Sequence, residues 1–569
     1  MEGHTRTKLC PKSRCSECAD APFPDCIDNP VSGGEGRSDS VMLLEPERNT
    51  IHLARWDEIR PEAPPWEGGD WESVYVEGLS QKSDLLDNVI RAYTVGPYLS
   101  IFCRQENSAE NLHFFFPLVR TALESRLLDT VCAMSQPVES GLPPRRIPLS
   151  ERIRNSMQMN EARVTEALPE VSHRTRAIVS EVAAHRNTAL GSIFALLLDD
   201  DVEEIYLDRP GLPLYFDHSE LGRCVSSAYL TVSDVSRVCT LIRSESNLHL
   251  DRANPSLKTD MSFGNSSMRF SVALPPLSTD GLHMEIRKAR CNPLTIRELI
   301  HNGTMPRDVG ALLVLAVAAR FNIAITGGPS SGKTTLLNAL DMTTPRHWRK
   351  IYIEDAVESR VTEQGHQVRF RVDPVDEGRG KLSKSSEIIK TLHRSPDYVI
   401  LGEIQSIEHS QALFQAMSAG LRTIQTCHSD SAPGLVTRWI NDHGIKPSSV
   451  AMIDMIVTLV KPAPGSSARR VSQIVEVRRT VKDGVVEFLG LNEVFDWKCG
   501  VLSQSWAKDG AFLMRAREAG VGTHVEALSN VFRLLDEYSQ GISPGEVRIG
   551  EILWSCGNPM QFQHNLQGT

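Results

Sequence analysis

From residue 306 to residue 428 the chain alternates short apolar runs with helix-period segments: helix "PRDVGALLVLAVAAR", strand "NIAIT", a glycine loop, helix "KTTLLNAL" and strand "KIYIE". Strands "QVRFRV", "DYVILGE" and "RTIQTC" follow, separated by "SSEIIKTLHR" and "SIEHSQALFQAMSAG". A strand that is apolar along its length is buried on both faces, and the helix after it supplies cover and crossover. The pattern predicts an α/β domain over residues 306–480, built on a mostly parallel sheet covered by helices.

A chain of 569 residues is too long for one core and predicts roughly three or four compact units. Residues 1–70, with "NPVSGGEGRSDS" and "RPEAPPWEGGDW", are rich in Pro, Gly, Ser and charge and predict a largely extended arm. Residues 71–165 mix β-like pieces such as "YLSIFC" with the helical "LVRTALESRLLDTVCAM", a small α/β lead-in domain. Residues 166–305 predict an α+β domain, with helix "RTRAIVSEVAAHR", strands "EEIYLD" and "PLYFD", and a ribbon-like pair around "SMRFSVALPP" and "LHMEIRK". Residues 481–569 predict a β/helical subdomain; strands "SQIVEVRRTV" and "GVVEFLGLNEVF" lead into it and helices such as "HVEALSNVFRLLDEYS" finish it.

With 41% hydrophobic and 23% charged residues a folded core is expected. The net charge of −10 and a pI near 6.0 argue against a general basic grip, so no nucleic-acid partner is expected. The N-terminus has no signal-peptide core, and the apolar run "VGALLVLAVAA" ends at Arg320, short of the ~20 residues that span a bilayer. The expectation is a cytoplasmic protein whose membrane contact is peripheral. Of twelve cysteines, Cys10, Cys15, Cys18 and Cys26 crowd one short stretch. In a reducing compartment such a cluster reads either as a Zn²⁺ site or as free thiols on a flexible arm, and both readings stay open.

Gly327-x4-Gly332-Lys333-Thr334 is the P-loop pattern, set between an apolar strand and a helix as its chemistry requires. Glycines let successive backbone N–H groups turn towards phosphates, the lysine reaches the β and γ phosphates, and the hydroxyl of Thr334 is placed to ligate Mg²⁺. Open α/β sheets bind ligands beyond the carboxyl ends of their strands. Three further sets of polar residues stand at such ends: Glu354 and Asp355 after "KIYI", Gly402 and Glu403 after "YVIL", and His428 after "RTIQTC". Glu403 suits an acid that holds Mg²⁺ through water or orients an attacking water. Glu354 or Asp355 reads as a second carboxylate, general base or metal-water ligand, or as an ordinary helix cap or surface charge.

The series "GGPSSGKTTLLNAL", "IYIEDAVE", "HRSPDYVILGEI" and "LFQAMSAGLRTIQTCHSDS" resembles the Walker A, Asp box, Walker B and His box of the type II/type IV secretion ATPase superfamily. "PDYVILGE" and "LFQAMSAG", with "FGNSSMRFSVALPPLSTDGLHMEIRK" upstream, look most like its archaeal branch, the ATPases of archaeal type IV pili and the archaellum. The resemblance covers about residues 85–535 and is specific from 200 to 440. It implies a RecA-like P-loop motor domain preceded by an α+β N-terminal domain, six copies forming a ring, with ATP between the two domains. It implies further that hydrolysis drives a polytopic membrane platform protein, and through it pilin-like subunits or secretion.

Carried over, the resemblance gives ATP to Gly327, Gly328, Pro329, Ser330, Ser331, Gly332, Lys333, Thr334 and Thr335, and makes Glu354, Asp355, Glu403 and His428 the catalytic set. Arg287, in the "IRK" ahead of the motor, and Arg438 are basic candidates for nucleotide contact. Family members usually carry arginine where this chain has Gln405, which removes the charge such a residue would use to join domains or subunits. Two other readings remain: a RecA-like nucleic-acid translocase, which needs a basic pore lining and stacking aromatics, and a nucleotide-gated scaffold with little hydrolysis, which Gln405 motivates.

Overall fold

The computed structural model describes residues 40–45, 50–55, 72–75 and 88–500, apart from 106–107, 136–146, 247, 264–265, 290–292, 356, 360–364, 374–381 and 464. The cluster Cys10, Cys15, Cys18 and Cys26 and the helices expected after residue 500 lie outside the described residues. The chain divides into two compact units, 1–291 and 292–569.

In the first unit β1 (Ser40–Glu45), β2 (Thr50–Arg55) and β3 (Glu72–Tyr75) form an antiparallel sheet in the order β2-β1-β3. Residues 40–45 and 50–55, expected within an extended arm, thus pair as antiparallel strands; "SVMLLE" and "TIHLAR" carry the apolar content that a strand needs.

The chain continues through β4 (Val89–Val95), β5 (Tyr98–Arg104), β6 (Asn111–Pro117), α1 (Ala122–Met134), α2 (Leu149–Ala167), α3 (His173–Arg186) and α4 (Phe194–Leu198). Next come β7 (Val202–Leu207), β8 (Pro213–His218), β9 (Gly222–Tyr229), α5 (Val232–Ser246), β10 (Ser256–Phe263), β11 (Ser266–Ala273) and β12 (His283–Lys288). These strands make one nine-stranded sheet, β10-β11-β12-β7-β8-β9-β6-β5-β4. Its pairs are antiparallel except β6 with β9, which run parallel from Asn111–Cys224 to His113–Ser226. That parallel pair carries the sheet across the 165/166 division expected from sequence. It is a long-range pairing, which local periodicity does not encode.

The second unit opens with α6 (Ile296–His301) and α7 (Arg307–Ala318), and Val309 to Ala318 are all buried. A helix apolar on every side belongs inside a core, and each leucine of α7 contributes about 2 kcal/mol by leaving water. Then follow β13 (Ile323–Gly327), α8 (Lys333–Asp341), β14 (Lys350–Glu354), β15 (Gln367–Arg371), α9 (Lys384–Lys390), β16 (Tyr398–Ile404), α10 (Ile407–Ser418) and β17 (Thr423–Cys427). The unit continues with α11 (Ala432–Thr437), α12 (Pro447–Val450), β18 (Met455–Val460), β19 (Arg470–Lys482) and β20 (Val485–Asp496).

The sheet order is β15-β14-β16-β17-β13-β18-β19-β20, parallel as far as β18 and antiparallel beyond it. β19 and β20 extend this sheet, so the 480/481 division expected from sequence falls inside a strand. One face packs Ile323, Ile325 and Ile424 with α7 and α8, and the other packs Ile351, Val399 and Leu401 with α10 and α11. The amino ends of the central strands are clamped by Asn322, whose Nδ2 donates to Met452 O and whose Oδ1 accepts from Thr423 N. Its backbone N donates to Asp454 Oδ2. At the opposite edge stand the glycine loop that opens at the end of β13, Glu354 at the end of β14, Glu403 one residue before the end of β16 and His428 just after β17, with β17 lying between β13 and β16. This is the layout of a RecA-like P-loop domain. Among the described residues no helix is long and apolar enough to cross a membrane.

Candidate nucleotide site

β13 is buried along its length and delivers the chain into the loop at Gly327, whose φ is 154°. A Cβ there would lie 2.4 Å from Leu459 O and 2.6 Å from Ser331 Oγ, so no other residue fits. Gly332, at φ 92°, turns the loop into α8 and caps it without a side-chain hydrogen bond. The first N–H groups of α8 therefore have no capping side chain, which is the donor array of an anion site. Thr334 and Thr335 stand half-buried on this first turn, and Pro329 is exposed at the loop tip. Ser331 Oγ is buried with no hydrogen-bond partner, an unsatisfied donor inside the loop that phosphate oxygens would satisfy.

Lys333 Nζ donates to Gly327 O at 3.1 Å and Gly328 O at 2.8 Å, and lies 3.4 Å from His428 Nδ1. An ammonium only donates, so Nδ1 accepts and the ring proton sits on Nε2. Nε2 meets Glu403 Oε1 directly, and Gln405 Nε2 donates to the other carboxylate oxygen. Burial, followed by the nearby Lys333 charge, holds the His428 imidazole below its ordinary range despite the opposing pull of Glu403, which favours the neutral ring.

Glu354 is buried: Oε1 accepts from Ser359 N at 2.9 Å and Glu358 N at 3.3 Å, and Oε2 from Ser359 Oγ at 2.5 Å. Burial pushes its carboxyl up to about 7, with the Ser359 hydrogen bonds pulling the other way. Asp355 lies 3.2 Å from the ammonium of Lys384 on α9. β16 passes beside this pair at Gly402, where a Cβ would meet Glu354 Cα at 3.5 Å and Asp355 Oδ1 at 3.7 Å, ordinary van der Waals contact.

The glycine loop, Glu354, Asp355, Glu403 and His428 thus share one sheet edge. The two basic candidates sit differently. Arg438 donates to the backbone, from Nη1 to His428 O and from Nη2 to Gln405 O, both at 2.8 Å, and so ties the ends of β16 and β17 together. Arg287 belongs to the first unit, on β12, where it pairs with Glu204 at 3.8 Å.

Two contacts escaped the sequence reading. Lys384 Nζ donates to Glu403 O at 2.8 Å, and Arg469 Nε donates to Ser330 O in the loop at 2.9 Å. Neither residue stands in a local pattern that marks it; only the folded register brings Arg469 to a loop 139 positions away.

Residues 231–482 match the family model described as type II/IV secretion system protein. The matched stretch includes the glycine loop and the strand ends that carry Glu354, Asp355, Glu403 and His428. An uncharacterised protein of Methanocaldococcus jannaschii is 30% identical over 238 residues, a segment that covers 41% of this chain and 32% of that relative. The type IV secretion system protein PtlH of Bordetella pertussis is 26% identical over 319 residues, covering 50% of this chain and 93% of its own. The X-ray structure of the Legionella pneumophila ATPase DotB aligns with 67% of this chain and 96% of its own, at a TM-score of 0.38 and 13% identity.

The residues present fit a nucleotide triphosphate with Mg²⁺. The orphaned Ser331 hydroxyl, the glycine positions that admit no side chain, and the open first turn of α8 all suit phosphate. Thr334 and Glu403 would hold Mg²⁺, an ion that takes one or two protein oxygens and completes its shell with water and phosphate. Among the described residues no group of three or more His, Cys, Asp and Glu side chains is arranged to hold a metal.

Proposed function

We propose that the protein is an Mg²⁺-dependent ATPase that powers assembly of type IV pilus-like filaments, or protein secretion, through a membrane platform protein. The observation that carries this reading is the run of contacts from the loop lysine Lys333 through His428 to Glu403. It couples the group that would hold the β and γ phosphates to the carboxylate that would orient the attacking water. On nucleotide binding Lys333 exchanges the carbonyls of Gly327 and Gly328 for phosphate oxygens, and His428 loses its partner on Nδ1. That frees the ring to report the γ phosphate to Glu403. Mg²⁺, when bound, neutralises phosphate charge. Glu354 accepts a proton near neutral pH, while Asp355, held by Lys384, stays at the strand end as the second acid.

The type II/IV match and the Methanocaldococcus relative support placement in the archaeal pilus and archaellum branch. The reading includes a homohexameric ring at the inner face of the cell membrane, acting on pilin-like subunits through the platform.

The test is the Mg²⁺-ATPase rate against protein concentration, for wild type and Glu403→Gln, with and without membranes carrying the candidate platform protein. A rate per subunit that rises with assembly and with the platform, and falls by about 100-fold or more in Glu403→Gln, is expected. Tight ATP binding with negligible turnover in both proteins refutes the motor and favours the nucleotide-gated scaffold.

A further inference from the structure

We infer that Lys384 is the residue that positions the two acidic strand ends of the site relative to each other. This rests on the ATPase reading above and adds to it a group that the nucleotide motifs do not contain.

Lys384 opens α9, with its side chain only 2% exposed. A lysine is almost never buried unless its charge is paired. Here the ammonium has two partners on different strands: Asp355 Oδ1 at 3.2 Å, just past β14, and the backbone carbonyl of Glu403 at 2.8 Å, near the end of β16. β14 and β16 pair in parallel only from Lys350–Tyr398 to Ile353–Leu401, so their ladder stops before either acid is reached. β16 is also irregular at this level, since its register with β17 shifts between Leu401 and Glu403. Backbone pairing with β14 therefore does not hold Glu403 against Asp355, and Lys384 bridges the gap.

The charge is felt by its surroundings: His409 on α10 is pushed down to about 4, first by burial and then by Lys384. On the other side of Glu403, Gln405 and His428 engage the carboxylate itself. The carboxylate is thus oriented from one side while its backbone is anchored from the other. Lys384 touches neither the glycine loop nor its lysine in any contact described above. It is a positioning residue, and its loss should slow turnover while leaving nucleotide affinity intact.

The experiment uses full-length protein and two substitutions. Lys384→Met replaces the cation by an apolar chain of similar length, and Lys384→Gln keeps a donor for Glu403 O without the charge. Melting temperature, affinity for a fluorescent ATP analogue with Mg²⁺, and kcat and KM for ATP are measured for each. Lys384→Met is expected to lower kcat by about 10–100-fold, the scale of a small misplacement at a reacting centre, with nucleotide Kd unchanged. Lys384→Gln is expected to fall between it and wild type.

Wild-type kcat in both variants overturns the inference, as does a loss of Kd that matches the loss of kcat. Should Lys384→Met fail to fold, Lys384→Gln decides: normal affinity with slowed turnover supports positioning, and normal turnover refutes it. A wild-type protein that binds ATP without hydrolysing it would instead sink the ATPase reading, so the two failures are distinguishable.

Discussion

Replacing Glu354 by glutamine removes an ionisable group that the fold holds in an expensive place. An ordinary glutamate ionises near pH 4.3, and burial raises Glu354 to about 7. Between these values the folded protein holds a proton that the unfolded chain has released. The folded state is therefore favoured at low pH, and that advantage is lost as pH rises through about 7. The gap corresponds to about 4 kcal/mol of unfolding free energy, a value that already includes the opposing pull of the Ser359 hydrogen bonds.

Glutamine has almost the same shape and can still accept from Ser359, but it carries no charge. The unfolding free energies of wild type and Glu354→Gln should then be close at about pH 4.5 and should diverge by about 4 kcal/mol, in favour of the variant, at about pH 8. Urea unfolding of the second unit, followed through the buried Trp348 and Trp439, reads this difference. ATP turnover measured in parallel should lose its acidic limb near pH 7 together with most of its rate. A stability difference that does not change with pH would refute the buried, proton-holding carboxylate. Full turnover in the variant would refute its use as a base.

Two further substitutions probe the frame of the site. Gly332→Ala forces an L-residue into a left-handed position beside Arg469 Cδ, 3.2 Å from the new methyl group. The strain of about 1–2 kcal/mol should weaken ATP-analogue binding by about tenfold, and wild-type affinity would contradict the role of the loop. Arg438→Lys cannot reach both His428 O and Gln405 O, so one charge-assisted bond worth about 2 kcal/mol is lost. The expected result is easier unfolding of the second unit with a lowered kcat and little change in nucleotide Kd; a large rise in Kd would mean that Arg438 contacts nucleotide.

The parts of this protein that could be read from its residues are those written in short periods. β13, the glycine loop and α8 are contiguous, and their chemistry needs only neighbours, so Gly327 to Thr335 were legible. Glu354, Glu403 and His428 were legible because a parallel sheet aligns its carboxyl ends, which makes "polar residue after an apolar strand" a positional statement. Lys384, Arg438 and Arg469 were not legible in their roles. The backbone carbonyls they bind carry no residue identity in the sequence and lie 19, 10 and 33, and 139 positions away, and the second partner of Lys384, Asp355, is likewise distant in the chain. The same limit hid the β6–β9 pairing. Two strands whose faces are each consistent with several neighbours give no local sign of which one they will meet.

The Asn322 clamp has a mechanical meaning. One side chain and its own peptide bind the feet of β13, β17 and β18 to a common height, and Asp454 is held in turn by Arg479 at 3.0 Å. Strands pinned at the foot cannot slide past one another, because a slip of one position would tear these bonds and move every side chain of the slipped strand to the opposite face of the sheet, into the wrong one of the two cores. The sheet is fixed at its foot by main-chain and amide bonds, as a fan is by its rivet, whereas at the opposite rim, where the glycine loop, His428 and Glu403 stand, the ties are the charged side chains of Arg438 and Lys384.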